Sequence, residues 1–261
     1  MRTPCQPRTG QGRVVHYIDR VPTPADVLAG LIEDDASRPA MTFYDDQPGP
    51  TRGERIEISR KVLGTWVAKA ANTLQEGFDA EPGTLVRLEI PVPHWRMVYW
   101  ALAVWSVGAT VTLDTSEGAD VLVTTDPSAP DAVDADEVVA VALPALARSF
   151  GADLRTGVMD EAREISSFAD TFTPWSGPEP SDTALVAAGE RTSYADLVTR
   201  AAERTGPASA RLLVTEHDPA TFLDAVLGCL AARGSVVMVR GAEVGLDDPR
   251  MHSEGVHTRF A

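Results

Sequence analysis

Lysine is almost missing from this chain. Lys61 and Lys69 are the only two in 261 residues, and arginine supplies the rest of the 23 basic side chains. The 38 acidic residues outnumber these and leave a formal charge of −15. An acidic surface repels phosphate backbones and anionic lipid headgroups, so neither nucleic acid nor membrane is expected as a partner. Cysteine is as scarce. Cys5 and Cys229 stand far apart and form no disulfide framework and no thiolate metal cluster. Cys229 reads as a core residue of an apolar helix. Long apolar runs are also lacking: residues 97–107 are the longest and are too short to cross a bilayer. The first twenty residues hold no apolar h-region, so no secretory signal is expected and the expected location is cytoplasmic. Gly10 and Gly12 lack both a third glycine and a preceding strand, which excludes a dinucleotide fingerprint.

What is present is ordinary for a globular chain: 44% apolar and 23% charged residues, at a length that supports a sizeable core. Residues 1–23 read as a flexible arm. Thr23-Pro24-Ala25-Asp26 starts a helix, with a capping threonine, proline at the first helical position and an acid in the first turn. Strand 41–44 and a polar turn region, 45–54, follow. Leu63, Trp66, Val67, Ala70, Ala71 and Leu74 then fall at helical spacing. Further along come strand 85–90, a helix apolar on every side over 97–107 that belongs in the core, and strands 109–113, 121–124 and 138–142. Residues 126–136 read as a loop and 144–150 as a short helix. These elements make a first α/β half over 24–150, joined by a connecting segment, 151–181.

A second half, 182–241, repeats the order strand-helix-strand-helix-strand before a C-terminal tail, 242–261. Residues 103–111 overlay residues 229–237 without a gap, and Ser59 and Leu63 overlay Ser193 and Leu197. Parallel strands need helical crossovers, so each half is expected to be a layered α/β unit.

The stretches Arg38-Pro39-Ala40-Met41-Thr42-Phe43, Trp66 to Asn72, Glu81-Pro82-Gly83 and Ala101 to Asp114 resemble, in that order, the opening of acyl-CoA synthetases and of peptide-synthetase adenylation domains. The second half resembles the part of those enzymes that follows their phosphate loop. The fold class implied is α/β: two related layered halves, like a shortened N-terminal domain of an adenylate-forming enzyme. The chain is similar to a short bacterial AMP-binding-like group.

That resemblance also implies a loss. In the full-length enzymes a Ser/Thr/Gly-rich loop ending in Pro-Lys-Gly holds phosphates by aimed backbone N–H groups and a lysine. The matching segment here is Ala187-Ala188-Gly189-Glu190-Arg191-Thr192-Ser193, with one glycine and no lysine. Gly189, Arg191, Thr192 and Ser193 therefore mark a degenerate phosphate-loop position, where Glu190 repels a phosphate and Arg191 attracts one. No lysine follows Lys69, so the catalytic lysine of the family's C-terminal domain has no counterpart in these residues. The expectation is a catalytically inactive, truncated relative with no catalytic residues, no cofactor and ATP/Mg binding lost, acting by binding a protein partner or a small acyl-type molecule. The alternative is an acyl-activating ligase, or a subunit of one, completed by another chain.

Other constellations yield no site. His252 and His257 have no third ligand nearby, so no metal is expected. Ser193, His217 and Asp218 contain the residue types of a hydrolase triad, but Ser193 lacks a nucleophile elbow and reads as a helix cap. His94, Trp95, Trp100 and Trp105 read as core. Asp120, Asp126, Asp131, Asp134 and Asp136 do not match a calcium loop and read as solvated turn residues.

Overall fold

The computed structural model describes residues 21–116, 118–130, 132, 135–204, 208–241 and 243–260. Residues 1–20, which hold Cys5, the Gly10/Gly12 pair and most of the expected arm, lie outside them, as do Asp131 and Asp134.

In the first repeat, α1 (Pro24–Asp35) starts where the sequence places it, with Thr23 and Asp26 closing a reciprocal capping box. A hairpin of β1 (Pro39–Asp45) and β2 (Arg55–Ser59) leads into α2 (Arg60–Asn72), which passes into a π-helical turn over Thr73–Gly77. Then come β3 (Leu85–Glu89), α3 (Trp95–Val107) and β4 (Thr110–Thr112). Strands β5 (Val121–Thr124), β6 (Glu137–Ala140) and β7 (Val158–Asp160) extend the sheet before a single helical turn, α4 (Glu161–Glu164). The second repeat is the hairpin β8 (Thr183–Ala187) and β9 (Glu190–Ser193), α5 (Tyr194–Glu203), β10 (Arg211–Val214), α6 (Pro219–Ala231) and β11 (Ser235–Arg240). Finally, α7 (Pro249–Ser253) and β12 (Thr258–Arg259) follow.

The two repeats match in detail. Each hairpin slips register by one residue at the same place, between Pro39 and Met41 in one and between Thr183 and Leu185 in the other. Ser59 and Ser193 each end a hairpin and cap the helix that follows, accepting from Val62 N at 3.2 Å and Asp196 N at 3.2 Å. The two long apolar helices leave through different glycine solutions. Gly108 takes the left-handed conformation at φ 90°, whereas in the second repeat Arg233 takes it and Gly234 is needed for closeness: a Cβ there would sit 2.4 Å from Ala210 O.

The sheets do not follow the repeats, however. The smaller sheet runs β12-β10-β11-β1-β2 and the larger β7-β6-β5-β3-β4-β8-β9. Each repeat thus lends its hairpin to the other's sheet: β1 lies parallel to β11, and β8 parallel to β4. The boundaries 24–150 and 182–241 therefore separate sequence repeats but not sheets. Helix α3 touches β3 and β4 of the larger sheet and β1 of the smaller, which is why all but Ser106 of its residues are buried. Tyr194 ties the repeats together at this level by donating to Ala109 O at 2.7 Å.

Three expectations are corrected. Residues 144–150 form turns and no helix. The segment after Ala187, aligned with a phosphate loop, is a two-residue turn followed by a strand. Within the expected C-terminal tail, residues 243–260 are packed on the fold: Val244, Met251 and Val256 sit on Leu213, Val237 and Val239, and β12 joins the edge of the smaller sheet.

Candidate functional site

The segment aligned with a phosphate loop lies at the carboxyl ends of β4 and β8, where open α/β sheets place their ligands. Here β8 turns into β9 through only two residues, Ala188 at φ 51° and Gly189 at φ 77°. Two consecutive left-handed residues suit the twist of a tight hairpin. The turn's two N–H groups both point at one side chain. Asp114, just beyond β4, accepts from Ala188 N at 2.7 Å and from Gly189 N at 2.8 Å, one carboxylate oxygen to each. The backbone donors at this position are therefore already held by an anion, and that anion belongs to the protein.

A crevice of about 410 Å³ opens beside the hairpin, between β4, β8, α5 and the start of α6. Glu190 and Thr192 face it. Arg191 is not among its lining residues, because neighbours on a strand point to opposite sides. The cations of the crevice are instead Arg200 on α5 and Arg204 at that helix's C-cap, four residues apart. Both bind Asp224, which is buried on α6: Arg200 Nη2 donates to Oδ1 at 2.7 Å and Arg204 Nη1 to Oδ2 at 3.0 Å. Arg200 Nη1 also donates to Thr192 Oγ1 at 2.5 Å, which leaves its buried Nε without a partner. The N-terminus of α6 is closed by Asp218, whose Oδ1 accepts from Thr221 N at 2.9 Å. Its helix dipole is answered from within the chain.

Of the positions singled out in sequence, Gly189 forms the turn, Thr192 is bound by Arg200, Ser193 caps α5 and Arg191 faces away. Asp114, Arg200, Arg204 and Asp224 were not singled out. Asp224 carried a signal, as the only charge inside the apolar run of α6, and the two arginines stand four apart at helical spacing. Asp114 carried none, since its partners lie 74 and 75 residues away. Ser193, His217 and Asp218 form no triad: the serine and the aspartate cap different helices, and His217 Nδ1 sits 3.5 Å from Val92 O. Among the described residues no group of three His, Cys, Asp or Glu side chains is placed to hold a metal. Cys229 is buried, and burial pushes its thiol up to about 12.

A second polar cluster lies at the start of α3. Glu161 is fully buried and accepts from Arg96 Nη1 at 2.8 Å, Trp100 Nε1 at 3.1 Å and the Tyr99 hydroxyl. Burial raises the Tyr99 hydroxyl well above its ordinary range, and the neighbouring Glu161 charge adds to this. His94 caps α3 by accepting from Arg96 N at 3.1 Å, while its buried Nε2 has no partner. Burial, followed by the Arg96 and Arg240 charges, holds His94 well below the usual imidazole range.

No family model matches the chain. A protein of Mycobacterium tuberculosis described as a TIGR03089 family protein is 30% identical over 238 residues, covering 88% of this chain and 94% of that one. The chain belongs to the TIGR03089 family. The fold of this family member is also found in solved adenylate-forming enzymes. The Brucella canis acyl-CoA synthetase matches 91% of the chain with a TM-score of 0.69 at 17% identity, and a fatty acyl CoA synthetase of M. tuberculosis matches 91% with a TM-score of 0.66 at 14% identity. The TIGR03089 chain spans 46% and 48% of those two structures, about half their length. Its two sheets and intervening helices are thus the fold of the N-terminal domain of adenylate-forming enzymes. No helix among the described residues is long and apolar enough to cross a membrane.

Proposed function

We propose that this chain keeps the adenylate-former scaffold for binding and does not itself make acyl-adenylates. One observation supports this reading above the others: the Asp114 carboxylate takes both amides of the β8–β9 turn. A phosphate brought to that turn would meet the charges of Asp114 and Glu190 in place of free N–H groups. Two like charges about 4 Å apart repel by roughly 4 kcal/mol at a surface-like dielectric. Arg191 faces away from the crevice, and the crevice cations Arg200 and Arg204 are already paired with Asp224.

The binding role falls to a small acyl-type molecule or a protein partner. The crevice is large enough for a small ligand, and Leu113, Leu185 and Pro219 give it an apolar wall suited to an acyl group. ATP–pyrophosphate exchange across a broad panel of carboxylic acids tests the proposal. The expected result is no exchange above background. Robust exchange by the purified chain overturns it, and exchange that appears only with a separate lysine-bearing chain replaces it with the ligase-subunit reading.

A further inference from the structure

The smaller sheet carries, on the face away from α3, a groove of about 590 Å³ that the crevice chemistry does not use. Arg38, Arg55, Arg60 and Arg211 line it against two carboxylates, Glu57 and Glu254. That balance is the reverse of the molecule as a whole, where acids exceed bases by 15. The arginines come from the entry to β1, from β2, from the first residue of α2 and from β10, so the fold and not a local charge run brings them together.

This groove already holds one oxyanion. Glu254, at the end of α7, places Oε1 within 3.0 Å of Arg55 Nε, 2.8 Å of Arg55 Nη2 and 2.5 Å of the Tyr44 hydroxyl, and Oε2 within 2.5 Å of Arg211 Nη2. Three side chains from three strands converge on a single carboxylate. Arg211 is itself fixed in place, donating to Ser235 Oγ at 3.1 Å and Thr42 Oγ1 at 2.8 Å. Donors nevertheless remain. Among the described residues the Arg38 side chain makes no hydrogen bond, though its charge acts on nearby Asp34 and Asp35; Arg55 bonds only through Nε and Nη2, and Ser209 lines the same space. The planar guanidinium fork matches the paired oxygens of carboxylates and phosphates.

We propose that this groove is a binding site for a small polyanion, bearing phosphate or carboxylate groups, held by Arg38 and Arg55 beside the carboxylate of Glu254. The site lies on the opposite side of the smaller sheet from α3, and the proposal does not depend on the reading given for the β8–β9 crevice. Its location also fixes a competitor: Glu254 draws on the same Arg55 fork that the ligand would use.

Titration calorimetry at fixed ionic strength with the full chain tests this, with inorganic pyrophosphate as the phosphate probe and citrate as the carboxylate probe. Saturable binding of either probe is expected, and the stronger of the two identifies the ligand chemistry. Arg38→Gln and Arg55→Gln should each weaken it by about tenfold or more, the share of one charge-assisted contact. Glu254→Gln should tighten it by removing the competing charge. Two results overturn the proposal: no saturable uptake of either probe by the native chain, or binding that Arg38→Gln and Arg55→Gln both leave unchanged. Should Glu254→Gln loosen α7, the two arginine variants still decide the matter, because both side chains are exposed at the surface.

Discussion

Asp114 and Gly189, 75 residues apart in sequence, are joined by a 2.8 Å hydrogen bond that fixes the β8–β9 hairpin to the end of β4. The same carboxylate holds Ala188 N, so one side chain sets both the shape of the turn and its charge.

Asp114→Ala is expected to leave two aimed N–H groups without their anion. Both face solvent, so water takes part of the loss, and the cost should be about 1–2 kcal/mol. Thermal unfolding should show a fall in Tm of roughly 3–6 °C. Asp114→Asn, which keeps an acceptor oxygen, should lose less.

Glu161→Ala should be far more damaging. It would strand the Arg96 guanidinium, with its side chain only 4% exposed, beside a void in the centre of the molecule. Breaking a buried pair from one side costs about 3–5 kcal/mol. Urea unfolding should show a large drop in midpoint. Glu161→Gln, which retains an acceptor for Tyr99 and Trp100, should recover part of it.

His94 predicts a stability change just below neutral pH. The folded protein disfavours the imidazolium, whereas the unfolded chain takes up a proton near pH 6.5. The unfolded state therefore binds more protons below that pH. The stability contributed by neutral His94 is complete above about pH 7.5 and is lost as the pH falls through about 6.5. Denaturation midpoints measured between pH 8 and 5 should fall on the acid side, and His94→Gln should flatten that slope.

Glu254 acts lower on the scale. Hydrogen bonds from Tyr44, Arg55 and Arg211 outweigh its burial and bring its carboxyl down to about 2. A depressed carboxyl contributes stability above its unfolded value near 4.5, and that contribution fades as the pH drops toward 2. Native chain and Glu254→Gln should differ by on the order of 2 kcal/mol at pH 6 and converge near pH 2.

The sequence was most readable where burial is complete. Helices α3 and α6 are apolar on every side and end at Gly108 and Gly234, and the central strands are short runs of Val, Leu and Ala. Four strands escaped notice, namely β2, β7, β9 and β12, and these are the four edges of the two sheets. Glu190-Arg191-Thr192-Ser193 carries no apolar pattern at all, whereas Arg55-Ile56-Glu57-Ile58 does alternate as a half-buried strand should, but so briefly that it does not stand out inside a polar stretch. Pairing was hidden for another reason. The repeat is local information, but which hairpin joins which sheet is decided by contacts nearly the whole chain apart. The candidate site suffered from the same blindness: Thr192 and Ser193 were visible as residues, while Asp114 became meaningful only once β4 and β8 were placed side by side.

Exchange of the hairpins also sets a schedule for the newborn chain. Asp45, at the end of β1, meets its partner Arg240 only 195 residues later. At about 5–20 residues per second, a ribosome needs some 10–40 seconds to deliver β11 after β1 has emerged. Through that interval the strands of the smaller sheet that receive the first hairpin do not yet exist, so its bare strand edge needs shelter until β10 and β11 have emerged.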